Sequence, residues 1–322
     1  MRNILVRIAF IAFGCCAAAL APAQEPEIPK LMRIVVPFSP GGSNDQIARA
    51  IAPALAKRLG NSVIVENKPG AGGVIGSDAV AKAAPDGATL LLSSSSFLTA
   101  AATQPRTPFD PVASFAPVSM IAEGPLLLAV SATSPHRSPQ SLLSAARDKP
   151  GTISYASSGV GSVAQLATEL LAADAKLQLL HVPYKGAANA LLDLVGGQVD
   201  FMLSNYSSLA PQIKAGKVRP LAVTSQEKSD IFPDLPPLSA SAPGYAIEIW
   251  VGVLAPAGTP PAVVARLNKE VNAVLAQADV KERLAGLGVE PGAGSAADFR
   301  TLIETDAARY GDAIRRLGIK AD

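Results

Sequence analysis

The sequence predicts an α/β protein with two similar lobes, each a mainly parallel β-sheet flanked by helices. Short apolar runs alternate with stretches of helical periodicity, which is the order expected of βαβ units. The same strand–loop–helix order occurs twice, over residues 33–93 and again over residues 152–203. The loops at the carboxyl ends of the parallel strands would then line a cleft between two lobes that close like a clamshell.

The elements of the two copies follow from the spacing of their apolar residues. In the first copy, strands are predicted at 33–37, 62–66 and 88–93, with helices at 44–59 and 74–84. In the second copy, strands are predicted at 152–156, 178–182 and 199–203, with helices at 163–173 and 187–196. These connections are long enough for the crossovers that join parallel strands.

The remaining segments complete the two lobes. Extended stretches at 116–130 and 218–225 bracket the second copy, so the chain would enter and leave that lobe through two crossings. A further strand is predicted at 250–255, and helices are predicted at 260–276 and 296–317. We therefore expect lobe 1 to comprise 24–124 and 226–322, and lobe 2 to comprise 125–225.

The first 23 residues have the pattern of a secretory signal peptide. Arg2 and Arg7 flank the start of an apolar run, and Ala21-Pro22-Ala23 fits the small-x-small pattern of a cleavage site. We therefore expect residues 1–23 to be removed on export.

Both cysteines of the chain, Cys15 and Cys16, lie inside this segment. A lipoprotein is the alternative that they leave open, although the three residues before Cys15 fit a lipobox poorly. The mature chain would have no thiol, which excludes disulfides, thiolate–zinc sites and cysteine nucleophiles.

The charge balance and the missing motifs exclude several function classes. The 28 Lys and Arg residues nearly balance the 26 Asp and Glu residues, and without a basic stripe we expect no nucleic-acid partner. The two histidines, His136 and His181, do not belong to a cluster with metal-ligand spacing. The sequence also has no GxSxG elbow, no phosphate loop and no complete GxGxxG fingerprint. We expect no metal and no cofactor.

Two glycine-rich loops, at 40–43 and 69–73, each follow a predicted strand and precede a predicted helix. The first turn of a helix has free backbone N–H groups and the positive end of the helix dipole. Glycine lets a ligand approach these groups closely because it has no side chain. Two such helix starts on neighbouring strands predict a pocket for a small anion, most simply a carboxylate.

Segments spread over the mature chain resemble one known family. They are VVPFSPGGSNDQIAR, VIVENKPGAGGVIG, PDGATLL, YASSGVGS, HVPYKG, GGQVDFML, LAVTSQEKSDIFPDLP and WVGVLAPAGTP, and they occur in family order. Together they resemble the Bug-type substrate-binding proteins, also called the TctC family, which are the periplasmic receptors of tripartite tricarboxylate transporters. Two positions depart from the family pattern: Gln165, where relatives often have histidine, and Ala88, where relatives usually have an aromatic residue.

The resemblance implies a type II periplasmic-binding-protein fold, a location in the periplasm and a receptor rather than an enzyme. It implies a small organic carboxylate as the ligand and the permease subunits of a tripartite tricarboxylate transporter as partners, and we expect a monomer. Two alternatives stay open. The same fold could serve a ligand sensor that feeds a signalling system, or a periplasmic enzyme that acts on a carboxylate.

The candidate ligand-binding residues lie in loops of both lobes, and the resemblance adds those of lobe 2. In lobe 1 they are Ser39, Gly41, Gly42, Ser43, Asn44, Asp45, Ala71, Gly72, Gly73 and Ser95; in lobe 2 they are Ser157, Gly159, Ser162, Tyr184, Lys185 and Asp200. Polar side chains at a helix start can cap the helix instead. Asp200, at a predicted strand start, can be structural, and His181 is expected to pack in the core.

Overall fold

A computed structural model of the chain describes residues 26–104 and 106–320. The predicted signal peptide, 1–23, lies outside the described residues. Within them, no helix combines the length and the apolar character needed to span a bilayer.

Strands and helices alternate along most of the described chain. The strands are β1 (Leu31–Val36), β2 (Ser62–Asn67), β3 (Thr89–Ser94), β4 (Phe115–Pro125), β5 (Leu127–Ser131), β6 (Ser154–Ser157), β7 (Leu180–Pro183), β8 (Phe201–Ser204), β9 (Val218–Val223), β10 (Glu248–Pro256) and β11 (Glu290–Pro291). The helices are α1 (Ser43–Leu59), α2 (Val74–Ala81), α3 (Ser96–Thr103), α4 (Pro139–Asp148), α5 (Val163–Asp174), α6 (Ala187–Val195), α7 (Tyr206–Lys214), α8 (Pro261–Leu275), α9 (Ala278–Gly286) and α10 (Ala296–Leu317).

The strands of the described residues form two sheets. Sheet A has the strand order β11-β4-β10-β3-β1-β2, and sheet B has the order β7-β6-β8-β5-β9. In sheet A, β1 pairs in parallel with β2 and β3, as the βαβ pattern predicts. In sheet B, β6 likewise pairs in parallel with β7 and β8.

Both sheets also contain antiparallel strands, which the repeated pattern does not predict. β10 lies between β3 and β4 and is antiparallel to both, and β11 is antiparallel to β4. In sheet B, β5 is antiparallel to β8 and β9. The other strands of each sheet share one direction. The predicted α/β fold with two similar sheets is confirmed, and the sheets are mixed.

The chain passes between the sheets at two adjacent points. β4 ends in sheet A at Pro125, and β5 begins in sheet B at Leu127. Leu126, between them, donates its N–H to Thr224 Oγ1 at 2.8 Å and accepts from the N–H of Thr224 at 3.0 Å. Thr224 directly follows β9, where the chain leaves sheet B. The two crossings are therefore hydrogen-bonded to each other.

Sheet A is covered by helices on both faces. On one face, α1 and α8 pack against the sheet, and Ile34 of β1 and Ile47 of α1 are fully buried there. On the other face, the Trp250 ring packs edge-on against Phe299 of α10, with centroids 5.2 Å apart. The indole N–H of Trp250 donates to Asp306 at 2.9 Å. Trp250 thus belongs to the core and fastens α10 to the sheet.

Four helices lie outside the set that the sequence predicts, namely α3, α4, α7 and α9. α3 matters most for function because it begins directly after β3. Ser95, which lies two residues after the predicted strand at 88–93, precedes the first residue of this helix.

Candidate ligand-binding site

Three helices begin where three neighbouring parallel strands end. β1 lies between β2 and β3 in sheet A, and α1, α2 and α3 start a few residues after these strands, at Ser43, Val74 and Ser96. The first N–H groups of a helix have no acceptor within the helix, and the dipole is positive at that end. This edge of sheet A therefore concentrates the donors that bind an anion.

Asp45, in the first turn of α1, holds the first glycine loop by a hydrogen bond to its backbone. The residue is 3% exposed. Its Oδ2 accepts the N–H of Gly41 at 2.8 Å, and Arg49 Nε donates to both carboxylate oxygens at 3.0 Å. Burial alone raises the pKa of Asp45, but the hydrogen bonds from Arg49, Gly41 and Asn67 outweigh burial and hold the pKa below its usual value. The carboxylate is already occupied by donors of the protein.

Asn67, the last residue of β2, joins the two glycine loops. Its Nδ2 donates to Asp45 Oδ1 at 3.0 Å and to the carbonyl of Phe38 at 3.1 Å. Its Oδ1 accepts from Arg49 Nη2 at 3.2 Å. The first loop is therefore attached to the strand that leads into the second loop.

The second glycine loop consists of left-handed backbone. Residues 70–73 all have positive φ, between 48° and 140°. A Cβ on Gly73 would lie 3.3 Å from the Phe38 ring, so this loop packs closely on the first one. Gln104, just after α3, donates to the carbonyl of Ala71 at 3.0 Å. Glycine suits positions 70, 72 and 73 because it adopts positive φ without strain, and Ala71 adopts a positive φ between them.

The start of α3 adds a third group of polar atoms. Ser94 Oγ accepts from Asn44 Nδ2 at 3.4 Å, which links the starts of α1 and α3. Ser95 is fully buried, and its hydroxyl has no hydrogen-bond partner among the described residues. A buried hydroxyl without a partner costs stability. A polar ligand atom at this point would therefore be stabilised.

The loop after β6 in sheet B uses its polar side chains internally. Ser157 is fully buried, and its Oγ accepts the N–H of Gly159 at 3.2 Å and lies 2.7 Å from His181 Nε2. Ser162 caps α5 by accepting the N–H of Gln165 at 3.3 Å. The two hydroxyls predicted to contact a ligand thus hold the loop in shape.

The neighbouring loop after β7 is bonded to this one. Tyr184 donates its N–H to the carbonyl of Ser157 at 3.1 Å. Its hydroxyl donates to Asp193 Oδ2 at 2.6 Å, and burial together with this contact raises the pKa of Tyr184 to about 12. Lys185 is exposed to solvent. The Tyr184 hydroxyl is therefore already engaged, while the Lys185 side chain is not buried.

α3, which begins at the donor-rich edge of sheet A, contacts the loop after β6 with its last residue. A Cβ added to Gly161 would lie 2.2 Å from Thr103 Oγ1, the last residue of α3. Gly161 also has a φ of 77°, a conformation that suits glycine. The donor-rich edge of sheet A and the loop after β6 in sheet B thus approach each other through α3.

Asp200 is the one candidate that the structure places elsewhere. Its Oδ2 accepts the N–H and the hydroxyl of Ser154, each at 2.7 Å. Ser154 is the first residue of β6, and Asp200 directly precedes the parallel strand β8. Both residues therefore lie at the amino edge of sheet B, whereas Ser157 lies at the carboxyl edge. Asp200 holds two strand starts together and does not join the other candidates.

Sequence reasoning missed three residues that support the loops, Asn67, Gln165 and His181. His181, expected in the core, is half-buried and hydrogen-bonded. A recurring spacing could have indicated Gln165, because an acceptor side chain follows a loop glycine by four positions in both loops: Asp45 after Gly41, and Gln165 after Gly161.

Two cavities of the described structure lie away from the candidate residues. One, of about 420 Å³, lies between α5, α10 and residues 244–247. The other, of about 650 Å³, lies beside α3 on the side of residues 107–111. No candidate ligand-binding residue lines either cavity.

The family described as "Tripartite tricarboxylate transporter family receptor" matches residues 47–319 of the chain. The chain belongs to this family. The receptor is 36% identical to Protein BugT of Bordetella pertussis over 314 residues, which are 97% of this chain and 96% of BugT. The predicted resemblance to Bug-type TctC proteins is thereby confirmed.

Solved structures of similar proteins include complexes with carboxylates. Rpa4515 of R. palustris, with adipate, is 36% identical, with a TM-score of 0.84 over 90% of this receptor and 98% of Rpa4515. MatC of Rhodopseudomonas palustris, with bound malate, is 33% identical, with a TM-score of 0.80 over 88% of this receptor and 98% of MatC. The fold of this receptor is therefore that of known carboxylate-bound proteins.

Proposed function

We propose that this receptor binds a small organic carboxylate at the three helix starts on the carboxyl edge of sheet A. The observation that carries the proposal is that α1, α2 and α3 begin side by side at the ends of β1, β2 and β3. The adipate and malate complexes of Rpa4515 and MatC support the ligand class.

Main-chain donors are expected to make most of the contacts with the carboxylate. Asp45 is buried and satisfied by Gly41, Arg49 and Asn67, so it positions the loop without facing the ligand. The unpartnered Ser95 hydroxyl is the side-chain donor best placed to add a bond. Hydrogen bonds to a charged acceptor contribute about 1.5–3 kcal/mol each, so a few of them suffice for micromolar affinity after the cost of ordering.

We propose that the two sheets are the cores of two lobes that close over the ligand. The division at 124/125 and 225/226 is supported by the crossings, since β4 and β10 belong to sheet A, and β5 and β9 to sheet B. The contact between Gly161 and Thr103 supports closure at the site. Closure is favoured by a ligand only because the closed form makes contacts from both lobes.

The receptor would then act outside the cytoplasm, in the periplasm, and deliver its carboxylate to a membrane permease of the tripartite tricarboxylate type. Membership of the receptor family supports this partner. Uptake of the bound carboxylate by cells that lack this receptor tests delivery. Unchanged uptake would contradict a transport role and favour a sensor.

The binding site is tested by a pair of glycine substitutions with equal backbone strain. Gly72, in the second loop, has φ 65°, and Gly60, at the far end of α1, has φ 67°. A Cβ on Gly72 would lie 3.4 Å from Ala100 of α3, so a leucine there occupies space between the second glycine loop and α3. We therefore expect Gly72→Leu to weaken binding of adipate and malate at least tenfold in isothermal titration. Gly60→Leu is the control, since a Cβ there meets nothing within 4 Å. Equal affinities of the two variants would contradict the proposed site.

A further inference from the structure

A chain of hydrogen bonds connects the loop after β6 to a histidine. Gly161 donates its N–H to Gln165 Oε1 at 2.8 Å, and Gln165 Nε2 lies 3.2 Å from His181 Nδ1. On the other side of the ring, His181 Nε2 lies 2.7 Å from Ser157 Oγ. Ser157 Oγ in turn donates to the carbonyl of Gly159 at 3.1 Å. Both ends of the chain are main-chain groups of the same loop.

The donor and acceptor roles along this chain are fixed by its ends. A backbone N–H can only donate, so Gly161 requires the amide oxygen of Gln165 to face it. The NH₂ group of Gln165 then faces His181, and Nδ1 must be an acceptor without a proton. A neutral ring with an unprotonated Nδ1 has its proton on Nε2, and this Nε2–H donates to Ser157 Oγ. The Ser157 hydroxyl then donates its own proton to the carbonyl of Gly159.

A second proton on the ring breaks this arrangement. A protonated Nδ1 would place an N–H against the NH₂ group of Gln165. If the amide rotated to accept from the ring, its NH₂ group would face the N–H of Gly161 instead. In either orientation two donors face each other, so one end of the loop loses its bond.

The His181 ring is partly buried and stacks on Tyr155 of β6, with centroids 4.8 Å apart. The ionisable groups on the elements around it are Tyr155, Glu169 of α5, Tyr184 and Lys185 after β7, and Asp193 of α6. Both of these carboxylates already accept a tyrosine hydroxyl, Glu169 from Tyr155 and Asp193 from Tyr184. Burial lowers the pKa of His181 below its usual value.

We propose that neutral His181 is a positioning residue that holds the loop over residues 157–161 in the shape that completes the ligand site, and that protonation of the ring releases this loop. The loop contacts Thr103 of α3, the helix that begins at the donor-rich edge of sheet A. Release of the loop therefore loosens the contact between the two sides of the proposed site. The consequence for ligand binding rests on the proposed function; the switch in the loop does not.

The first test needs no ligand. The chain has two histidines, so ¹⁵N NMR has only two imidazole rings to assign, and the His136→Phe variant identifies the signals of His181. We expect the Nε2–H form for His181 and a pKa below the usual histidine value of about 6.5. A ring with its proton on Nδ1, or a pKa at or above that usual value, would overturn the proposal.

The second test compares variants by hydrogen exchange of the amides at 158–162, expressed as protection factors so that intrinsic rates cancel. In the wild type, we expect protection to fall about tenfold as His181 takes up its proton, which is the effect of losing about one hydrogen bond. Gln165→Glu should abolish this fall, because a carboxylate accepts from both Gly161 and the protonated ring. His136→Phe should leave it unchanged. A wild-type fall that persists in Gln165→Glu would contradict the proposal.

Titration with adipate and malate at pH 7.5 and pH 5 then extends the test to binding. We expect the dissociation constant of the wild type to rise about tenfold more on acidification than that of Gln165→Glu, in proportion to the loss of protection. If neither carboxylate binds at pH 7.5, the proposed function fails its own test, while the NMR and exchange results still decide the role of His181. Equal acid responses of wild type and Gln165→Glu would show that the loop does not govern binding.

Discussion

The loop before α1 and the loop before α5 are built by the same backbone device but with different chemistry. In each, a glycine just before the helix donates its N–H to the third residue of that helix, at 2.8 Å in both cases. In sheet A this residue is Asp45, and in sheet B it is Gln165. This backbone arrangement therefore needs only a hydrogen-bond acceptor at that position, and the acceptor can be charged or neutral.

The difference lies in what holds the acceptor. Asp45 is a buried carboxylate that receives hydrogen bonds from Arg49 and Asn67. Gln165 is a neutral amide that bonds to His181, a ring that can take up a proton as the pH falls. The first loop is therefore held at any physiological pH, whereas the second loop depends on the protonation of one ring.

The largest expected difference concerns stability. Asp45→Ala removes the acceptor of the Gly41 N–H and the charge-assisted bonds that the buried carboxylate receives from Arg49 and Asn67, so we expect the free energy of unfolding to fall by about 3 kcal/mol. Gln165→Ala removes neutral bonds, and we expect a fall of about 1.5 kcal/mol. Urea denaturation of both variants measures the two values. Equal losses would mean that the charge of Asp45 adds nothing to the device.

The two loop glycines provide a smaller contrast. Gly41 and Gly161 have φ of 80° and 77°, so Gly41→Ala and Gly161→Ala cost about the same backbone strain, roughly 1 kcal/mol. A Cβ on Gly41 meets nothing within 4 Å, whereas a Cβ on Gly161 meets Thr103.

We therefore expect Gly161→Ala to lower the free energy of unfolding by about 1 kcal/mol more than Gly41→Ala does, because of overpacking against Thr103. Thermal unfolding at a fixed pH compares the two variants. Combining Gly161→Ala with Thr103→Ala should recover the difference, and no recovery would mean that the loop and α3 do not press on each other.

The smallest effect is the order in which the two loops open in acid. The folded pKa of His181 is lowered, so the folded state takes up this proton at a lower pH than the unfolded chain, and its contribution to stability declines as pH falls below about 6.5. The folded pKa of Asp45 is also lowered, so its contribution persists until pH falls below about 4. Hydrogen exchange followed as the pH is lowered should therefore show the loop at 157–161 losing its protection before the loop at 39–45 does. The reverse order would contradict the comparison.

Much of the fold could be predicted because it depends on local patterns. The apolar runs that become β1, β2 and β3, and the helical periodicity of α1, are visible in the chain itself. α3 could not be predicted in the same way. Its eight residues, SFLTAAAT, are too few for a periodic pattern, and the helix is held by packing against α10 and the second glycine loop.

The site could be predicted only as far as its backbone. Glycines before helices mark where an anion could bind, and those loops lie where the pattern predicts them. The side chains are different, because their partners are distant in sequence: Asn67 reaches Asp45, and Ser157 reaches His181. The contact of Ser157 with His181 follows from no local rule, whereas the capping of α5 by Ser162 is the local alternative that the sequence leaves open.

The position of β10 has a consequence for how the polypeptide matures after synthesis. This strand lies in the middle of sheet A, between β3 and β4, yet it comes from residues 248–256, long after both neighbours. Sheet B, by contrast, is made from one continuous stretch of chain. When the chain becomes available from its N-terminus to its C-terminus, sheet B can form first, while β3 and β4 keep unpaired edges until β10 arrives. Sheet A, which contains the first strand of the described chain, is therefore the sheet that is completed last.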